Sequence, residues 1–420
     1  MSRILLLLPT RTWRAEAFLA AARRLGLEIT VATDKPLVWT GRVPEGVIVL
    51  DFACAERAAE QAAEFAREHP IAAVVGADDD TVVLAGAIAK ALGLPHDPIA
   101  ALEAARDKRV QRERLLAAGL PVPRFTRFRL DEDPAAVAAR VGLPCVIKPL
   151  RLAASRGVMR ADDVTSLGAA MRRLGALLAS PDVDASGECR HEALAETFLP
   201  GAEVALEGLL EDGALRVLAL FDKPDPLDGP YFEETIYVTP SRVAPETQAR
   251  IAKIVTRAAA ALGLTRGPIH AELRVNVWGP WILELAARPI GGLCSRALRF
   301  EGGVTLEELV LRGALGLNTA GTTREADASG VMMVPIPGAG VVERVEGVAD
   351  AGRVPGIEQV VITAHAGERL VPFPEGSRYP GFIFARGEDP AAVEAALRAA
   401  HGRLRFVLAP EADAATSGAR

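Results

Sequence analysis

Cysteine is scarce in this sequence, and its spacing excludes several kinds of site. The chain of 420 residues contains four cysteines, which lie far apart at Cys54, Cys145, Cys189 and Cys294. None belongs to a CxxC pair or to a Cys/His ligand spacing, so we expect neither a structural zinc site nor a disulfide framework. This cysteine usage favours a reducing cytoplasm.

Long hydrophobic segments and a strong excess of one charge are also missing. The longest early apolar run covers residues 4–8, which is far too short to span a bilayer and lacks the features of a signal peptide. Lysine and arginine number 48 against 54 aspartates and glutamates, which gives a net charge of −6. We therefore expect no membrane segment and no broad electrostatic capture of nucleic acid.

Two common nucleotide-binding signatures are absent as well. No GxGxxG run follows the first predicted strand, and GxxxxGK[ST] occurs nowhere in the chain. Dinucleotide binding of the Rossmann type and phosphate binding by a P-loop therefore lose their main support from the sequence.

The first hundred residues show an alternation of strand and helix patterns, which is typical of an open α/β domain. Apolar runs predict strands at residues 3–9, 28–32, 46–50 and 71–75. Amphipathic segments predict helices at residues 15–25, 56–68 and 81–92. The acidic run at residues 78–80 is interpreted as a solvated helix N-terminus, with a role in substrate binding as the alternative.

Glycine, proline and hydrophobic periodicity divide the rest of the chain. Residues 100–118 predict one helix, which ends at the linker sequence Gly-Leu-Pro-Val-Pro of residues 119–123. Beyond residue 326, short strands and a helix at 390–401 predict a small α+β domain. Half of the residues are hydrophobic, and the length suggests two or three domains. We place the domains at residues 1–100, 101–322 and 323–410, followed by a flexible tail at 411–420.

The most informative segment is a predicted β-hairpin with two facing glutamates. Alternating runs at residues 269–275 and 281–287 flank a turn that contains Gly279 and Pro280. If the turn centres on Trp278, Glu272 and Glu284 lie opposite each other. Like charges in that arrangement destabilise a hairpin, so they need a compensating cation, for which magnesium is the natural candidate. A salt bridge on a solvated hairpin face is the alternative, because His270 and Arg274 share the face of Glu272.

Two lysines and a small-residue loop indicate phosphate binding. Lys148 ends the apolar strand pattern of residues 143–149, where a lysine is placed as a point charge. The loop of residues 153–158 is rich in small residues, and Ser155 and Gly157 allow close backbone approach to an anion. Lys108, which follows Asp107 on a predicted helix, would by itself be read as a surface residue.

The strand pattern at residues 193–203 ends in Pro200-Gly201 and has acidic residues at both ends, Glu196 and Glu203. An ordinary edge strand would account for it. A hinge that presents backbone groups to a base and Glu203 to ribose hydroxyls would account for it equally well.

Taken in order, these elements resemble the ATP-grasp superfamily over about residues 1–320. The resemblance implies an ATP-grasp fold, combining α/β and α+β parts, with an N-terminal open α/β domain, a lid subdomain at about residues 123–200 and a small C-terminal α+β domain. It assigns Lys108 and Lys148 to ATP phosphates, with Lys148 also near the adenine. Further nucleotide contacts are implied at a mobile phosphate loop, an adenine hinge and a ribose ligand: Ser155, Arg156, Gly157 and Val158; Glu196, Thr197, Phe198 and Leu199; and Glu203.

The resemblance also implies the metal site and the catalytic arginine. Glu272 and Glu284 would bind magnesium, and Arg288 would hold the γ-phosphate and the acyl phosphate formed from it, with Lys148 as the second catalytic residue. The family pattern Glu-x-Asn-x-Arg is broken by Ala286, which cannot coordinate a metal ion. The implied cofactors are ATP and one or two magnesium ions, for which manganese could substitute.

Residues 288–295 and the C-terminal domain are similar to those of L-amino acid ligases and related carboxylate–amine ligases. The expected activity is therefore ADP-forming amide or peptide bond formation through an acyl phosphate, on small-molecule acids and amines such as amino acids. Gly291 and Gly292 would offer backbone N–H groups to a substrate carboxylate, with a tight turn as the alternative. Lys223 and His270 are further candidates for substrate contact.

Two other functions stay open at this point. One is an ATP-grasp ligase or carboxylase of nucleotide or cofactor metabolism that acts on another small acid. The other is an ATP-binding module without catalysis. Similar proteins are frequently dimers, so a homodimer is compatible with the resemblance.

Overall fold

A computed structural model describes residues 2–10, 12–35, 46–183 and 187–409. The chain forms two compact units, each assembled from three segments. The first unit comprises Met1–Val122, Val204–Phe221 and Val243–Ala326, and the second comprises Pro123–Glu203, Asp222–Arg242 and Asp327–Arg420. The change between units at Pro123 falls in the predicted linker. The bounds predicted for individual domains stay predictions, and the predicted tail at 411–420 lies outside the described residues.

The elements follow one another in mixed α/β order. The described strands are β1 (Arg3–Leu7), β2 (Glu28–Thr33), β3 (Val47–Val49), β4 (Ala73–Gly76), β5 (Phe125–Arg129), β6 (Cys145–Pro149), β7 (Met159–Ala161), β8 (Glu192–Thr197), β9 (Ala202–Glu211), β10 (Ala214–Lys223), β11 (Ile236–Thr239), β12 (Gly267–Asn276), β13 (Gly279–Ala286), β14 (Ala328–Met333), β15 (Gly340–Glu346), β16 (Ile357–Ile362), β17 (Arg369–Leu370), β18 (Gly381–Gly387) and β19 (Arg405–Ala409). The described helices are α1 (Ala15–Leu25), α2 (Ala55–Glu68), α3 (Asp79–Ala91), α4 (Ile99–Arg106), α5 (Lys108–Ala117), α6 (Pro134–Val141), α7 (Val164–Leu178), α8 (Pro245–Leu262), α9 (Leu306–Ala314), α10 (Val348–Gly352) and α11 (Pro390–His401). None of these helices is both long and apolar enough to cross a membrane.

The first unit begins with a parallel sheet of order β3-β2-β1-β4. Strand β1 is flanked on both sides, and its apolar run is fully buried, as expected for a central parallel strand. Helix α1 ends at Gly26, whose φ of 63° places it in the left-handed conformation that glycine adopts at a helix C-terminus. The predicted open α/β domain is confirmed.

The segment predicted as one helix over residues 100–118 is two helices, and the prediction of a continuous helix is wrong. Asp107 has an extended conformation that ends α4 and starts α5. Its carboxylate accepts hydrogen bonds from the backbone N–H groups of Arg109, at 3.0 Å, and Val110, at 3.1 Å. The break leaves the hydrophobic spacing almost unchanged, which explains why periodicity did not reveal it. Lys108 thereby becomes the first residue of α5.

The other core of the first unit lies between helices and the neighbouring strands β13-β12-β9-β10. Apolar residues of α4 and α8 pack there with those of β9 and β12 in one buried cluster. Helix α5 is fixed to β13 through Gln111, whose side chain exchanges two hydrogen bonds with the backbone of Leu285, at 2.9 and 3.0 Å.

The second unit contains two larger antiparallel sheets and one small sheet. The sheet β5-β8-β6-β7 packs against α6 and α7 around a core that includes Phe128 and Leu174. The strands β11-β14-β18-β16 pack against α10 and α11, and β17-β15-β19 form the small sheet. The α+β character predicted for the C-terminal region is confirmed.

The cap at Asp107 gives a stability prediction. We expect Asp107→Ala to lower the free energy of unfolding by about 1 kcal/mol, because two backbone N–H groups at the start of α5 lose their acceptor. Urea unfolding followed by circular dichroism measures this as a lower midpoint. Asp107→Asn is the matched control, since its side-chain oxygen can still cap the helix. Equal midpoints for the alanine variant and the wild type would contradict the assigned cap.

Candidate active site

The two hairpin glutamates face each other in the first unit, as predicted. Glu272 of β12 pairs directly with Glu284 of β13. The turn, however, does not centre on Trp278: Asn276 pairs with Gly279, so the loop is Val277 and Trp278. A β-bulge between Glu272 and Leu273 then adds one residue to β13 and restores the opposition.

That bulge determines which way Glu284 points. Without it, the register set by the two-residue loop would place Leu283 opposite Glu272, and Glu284 would face the other side of the sheet. The buried guanidinium of Arg112 on α5 donates to the carbonyl of Leu283 at 2.5 Å, which satisfies this oxygen at the irregular position. Helix α5 therefore supports the bulge, a role that sequence patterns did not indicate.

Each of the facing carboxylates has a cationic neighbour. Lys108 Nζ lies 3.1 Å from Glu284 Oε1, and His270 Nε2 lies 3.3 Å from Glu272 Oε1. Lys108 is nearly buried, whereas the side chains of Glu272 and Glu284 keep 22% and 31% of their surface exposed. The protein thus compensates the repulsion between the glutamates with its own cations, and both carboxylates remain open to a further ligand.

His270 is charged at neutral pH because of a residue that sequence analysis missed. Its Nδ1 contacts the carboxylate of Glu207, a buried residue of β9. Burial alone would lower the pKa of His270, but the Glu207 carboxylate, assisted by Glu272, raises it to about 9. The signal that could have revealed Glu207 is a single charge within the apolar run of β9.

Arg288 is held by the acidic first turn of α3. Its Nε donates to Asp79 Oδ2 at 2.8 Å, and its Nη1 donates to the carbonyl of Pro289 at 3.0 Å. Burial raises the pKa of Asp79, but the Arg288 guanidinium outweighs that effect and keeps it below the usual value. Asp79 is therefore an ionised partner of the predicted catalytic arginine.

The three aspartates of this turn pair with arginines from three different segments. Asp78 caps α3 and also pairs with Arg14 at 3.2 Å, and Asp80 pairs with Arg106 at the end of α4 at 3.1 Å. Arg14 also donates to the carbonyls of Pro289, at 3.0 Å, and Ile290. The interpretation as a helix N-terminus is thus confirmed, and Asp79, which is half-buried rather than fully solvated, also pairs with Arg288.

The loop after Arg288 forms a turn, which agrees with the alternative interpretation of Gly291 and Gly292 as a tight turn. Gly292 has a φ of 57°, and Cys294 N–H donates to the carbonyl of Gly291 at 3.2 Å. Among the described residues other than its chain neighbours, no atom lies within 4 Å of the position that a Cβ on Gly291 would occupy, so there is space for a ligand beside this backbone.

In the second unit, the predicted hinge residues lie beside Lys148. Lys148 Nζ is 2.7 Å from Glu196 Oε2, and the carboxylate is buried. Strands β6 and β8 pair antiparallel, with Cys145 opposite Thr197, and Phe198 N–H donates to the carbonyl of Pro144 at 3.0 Å. Leu199 follows Phe198 just beyond the end of β8. Lys148 and the hinge are therefore one local arrangement.

Glu203 and Lys223 form a buried cluster of the second unit. Lys223 Nζ lies 2.8 Å from Glu203 Oε1, contacts Glu234 and sits 5.0 Å from the ring centre of Tyr237. The two carboxylates offset the cost of burying the ammonium group of this lysine. Glu203, the predicted ribose ligand, thus has a cation as its neighbour.

The 153–158 loop has an unusual backbone. Ala154 and Ser155 have φ values of 55° and 53°, and Gly157 has 75°. Gly157 N–H donates to the carbonyl of Pro374 at 2.8 Å, and Val158 N–H donates to that of Ser155 at 3.1 Å. A left-handed backbone at non-glycine residues is uncommon and occurs at ligand-binding positions.

The geometry within the first unit suits a hard divalent cation. Two partly exposed carboxylates face each other, and oxygen is the donor that magnesium prefers. The buried Ala286 contributes no donor atom. We interpret Glu272 and Glu284 as the residues that would hold the metal ion.

Three family models match the chain. The ATP-grasp domain matches residues 141–297, the ATP-grasp N-terminal domain matches 19–96, and L-amino acid ligase C-terminal domain 2 matches 332–409. The crystal structure of L-amino acid ligase from Bacillus licheniformis is similar to this chain, with a TM-score of 0.84 and 28% identity over 97% of this chain and 99% of that chain.

Two further relatives were found by sequence. Protein y4rH of Sinorhizobium fredii is 23% identical over 416 residues, which are 98% of this chain and 84% of that protein. Alanine–anticapsin ligase of Bacillus subtilis is 28% identical over 233 residues, which are 52% of this chain and 49% of that protein. The chain thus contains an ATP-grasp N-terminal domain, an ATP-grasp domain and an L-amino acid ligase C-terminal domain 2, and it resembles the L-amino acid ligases in particular.

Proposed function

We propose that this protein is an ADP-forming ATP-grasp ligase that joins the carboxylate of one amino acid to the amino group of a second amino acid or another amine. The observation that carries the proposal is the pair of facing carboxylates, Glu272 and Glu284, with Lys108 beside them and Arg288 four residues further on. The match to an L-amino acid ligase along nearly the whole chain supports the choice of substrates.

The expected reaction has two steps and needs no side-chain nucleophile. An oxygen of the acid attacks the γ-phosphorus of ATP, the bond from that phosphorus to the bridging oxygen breaks, and ADP leaves. The amine nitrogen then attacks the carbonyl carbon of the acyl phosphate, phosphate leaves with the bonding electrons, and the nitrogen loses a proton. Such phosphoryl transfer depends mainly on positioning and charge neutralisation.

Different residues of the chain would position the phosphates and neutralise their charge. Magnesium bound by Glu272 and Glu284 would neutralise the charge on the phosphates and orient them. Lys108 adds a fixed positive charge next to Glu284. Arg288 is fixed through Nε and Nη1, and within the described residues its Nη2 makes no hydrogen bond, so it can donate to the transferred phosphoryl group.

The remaining assignments are proposals that rest on the resemblance and on local geometry. In the second unit, Lys148 would bind phosphate, the segment Glu196, Thr197, Phe198 and Leu199 would contact adenine, and Glu203 would bind ribose. Residues 155–158 would close over the phosphates. Gly291, Gly292, His270 and Lys223 stay candidates for substrate contact.

Substrate pairs give the first test. We expect the purified protein with magnesium and ATP to release ADP and phosphate only when two amino acids, or an amino acid and an amine, are both present, because the acyl phosphate needs a nucleophile to turn over. A coupled ADP assay over pairs of amino acids, with mass spectrometry of the products, measures this. ADP release stimulated by bicarbonate, without amino acids, would instead favour a carboxylase.

The metal ligand gives a second prediction. We expect Glu284→Gln to abolish ATP turnover without changing the urea midpoint substantially, because an amide is a much weaker ligand for magnesium than a carboxylate. Turnover as a function of magnesium concentration measures the effect. Glu113→Gln, an exposed glutamate of α5 that pairs with Arg109, is the control and should retain activity. Wild-type turnover in the Glu284 variant would remove Glu284 from the metal site.

The third prediction concerns Arg288. We expect Arg288→Ala to lower kcat by at least about 100-fold while the Kd of ATP changes little, because the guanidinium chiefly stabilises charge on the transferred phosphoryl group. Steady-state kinetics and equilibrium binding of ATP separate the two effects. Arg266→Ala, an exposed arginine of the same unit, is the control. A normal kcat in Arg288→Ala would contradict this role.

A further inference from the structure

The 153–158 loop is fastened to a turn from the C-terminal part of the chain. Gly157 N–H donates to the carbonyl of Pro374 at 2.8 Å, and Arg156 Nε donates to the carbonyl of Glu375 at 2.7 Å. Both acceptors belong to one tight turn, closed by Gly376 N–H donating to the carbonyl of Pro372 at 2.9 Å. Two adjacent residues of the loop are therefore bound to two adjacent residues of the turn.

The turn is itself fixed by the side chain of Glu375. Its two carboxylate oxygens accept from Arg173 of α7, Oε1 from Nε at 2.5 Å and Oε2 from Nη2 at 2.7 Å. Arg173 also contacts the hydroxyl of Tyr231 and lies over the tyrosine ring. A bidentate pair between planar groups sets orientation as well as distance. Through this pair, α7 holds the turn at the position where its carbonyls meet the loop.

Three of the backbone N–H groups of the loop are used in hydrogen bonds within the protein. The N–H groups of Gly157 and Val158 donate to Pro374 and Ser155, and that of Arg156 donates to Ala153 at 3.3 Å. Within the described residues, the N–H groups of Ala154 and Ser155 have no such acceptor. These two residues have left-handed backbone conformations, and successive N–H groups in such a turn form a concave anion site.

Gly157 cannot easily be replaced by another residue at this position. Its φ of 75° disfavours other residues, and an added Cβ would lie 3.0 Å from side-chain atoms of both Leu174 and Leu177 on α7. The glycine thus fits the loop closely against α7 while its N–H reaches the turn. Its role in this structure is to anchor the loop.

We propose that Glu375 is a positioning residue for nucleotide binding: through the turn at residues 373–376 it holds the 153–158 loop so that the amides of Ala154 and Ser155 receive ATP phosphate oxygens. The proposal rests on the proposed function, since the phosphate role of the loop belongs to it. The C-terminal domain then takes part in ATP binding without contacting the nucleotide. If the turn is loosened, the loop becomes more mobile. ATP binding must then order the loop, and the free energy that this costs lowers the affinity for ATP.

Limited trypsin digestion tests, without any substrate, whether Glu375 holds the 153–158 loop in place. Arg151 and Arg156 offer cleavage sites in or next to the loop, and cleavage requires that the backbone opens locally. We expect Glu375→Gln to speed cleavage at these sites by about fivefold. The substitution removes a partly exposed bidentate ion pair worth about 1 kcal/mol, and that free energy corresponds to a fivefold change in an equilibrium. Mass spectrometry of the fragments identifies the sites.

Matched variants make this test specific. Glu346→Gln removes a glutamate of similar exposure that pairs with Arg344 in the small sheet, and should be cleaved as the wild type is. Arg173→Gln should behave as Glu375→Gln does. The double variant should be cleaved no faster than either single variant, because both changes remove the same interaction.

Nucleotide binding completes the experiment. We expect Glu375→Gln to raise the Kd and KM for ATP by up to about fivefold, the limit that the fivefold change in loop opening sets, while kcat and the KM for the amino acids stay within twofold of the wild type. An unchanged cleavage rate would overturn the proposal, as would faster cleavage with an unchanged Kd for ATP. If the wild type itself bound no ATP, the proposed function would fall, and the trypsin result would still report whether Glu375 holds the loop.

Discussion

The electrostatic repulsion between Glu272 and Glu284 is the constraint on which the first unit depends. Directly opposed carboxylates are unfavourable in a hairpin, so cations must come from elsewhere in the fold. Lys108 reaches Glu284 from the first turn of α5, and His270 reaches Glu272 from the same strand. The break between α4 and α5 at Asp107 and the bulge in β13 are therefore connected features, because one places the lysine and the other aims the glutamate.

Two further acids hold the cations His270 and Arg288 in place. Glu207, which is buried, holds the buried His270, and the half-buried Asp79 holds Arg288, most of whose side chain is removed from water. Because each acid belongs to a different element, β9 and α3, the arrangement joins a helix of the N-terminal α/β part to the hairpin β12-β13 of the first unit. Removing one acid would leave a buried cation unpaired, so its effect should exceed that of losing an exposed ion pair.

The sequence predicted those features that follow from local pattern and missed those that follow from tertiary contact. Alternation and turn chemistry were enough to find the hairpin and its two glutamates. The predicted centre of the turn was wrong, but the predicted pairing of the two glutamates was right. A bulge in β13, supported by Arg112, compensated for the difference of one residue. Neither that support nor the pairing of Asp79 with Arg288 leaves a periodic signal, since the partners are far apart in the chain. Glu375 illustrates the same limit, because its partner Arg173 lies 202 residues away.

The departure at residue 286 has a structural counterpart in the hairpin. Ala286 pairs directly with His270, so the family's asparagine would stand opposite the histidine that Glu207 orients. With alanine there, the charged imidazole meets a small apolar side chain, and Glu272 is the acceptor that its Nε2 approaches. If the hairpin holds magnesium as proposed, it would offer the two carboxylates alone, and phosphate oxygens and water would have to supply the remaining ligands. Fewer protein ligands imply weaker binding of metal without nucleotide, so ATP and magnesium should bind cooperatively, each supplying ligands or charge that the other needs.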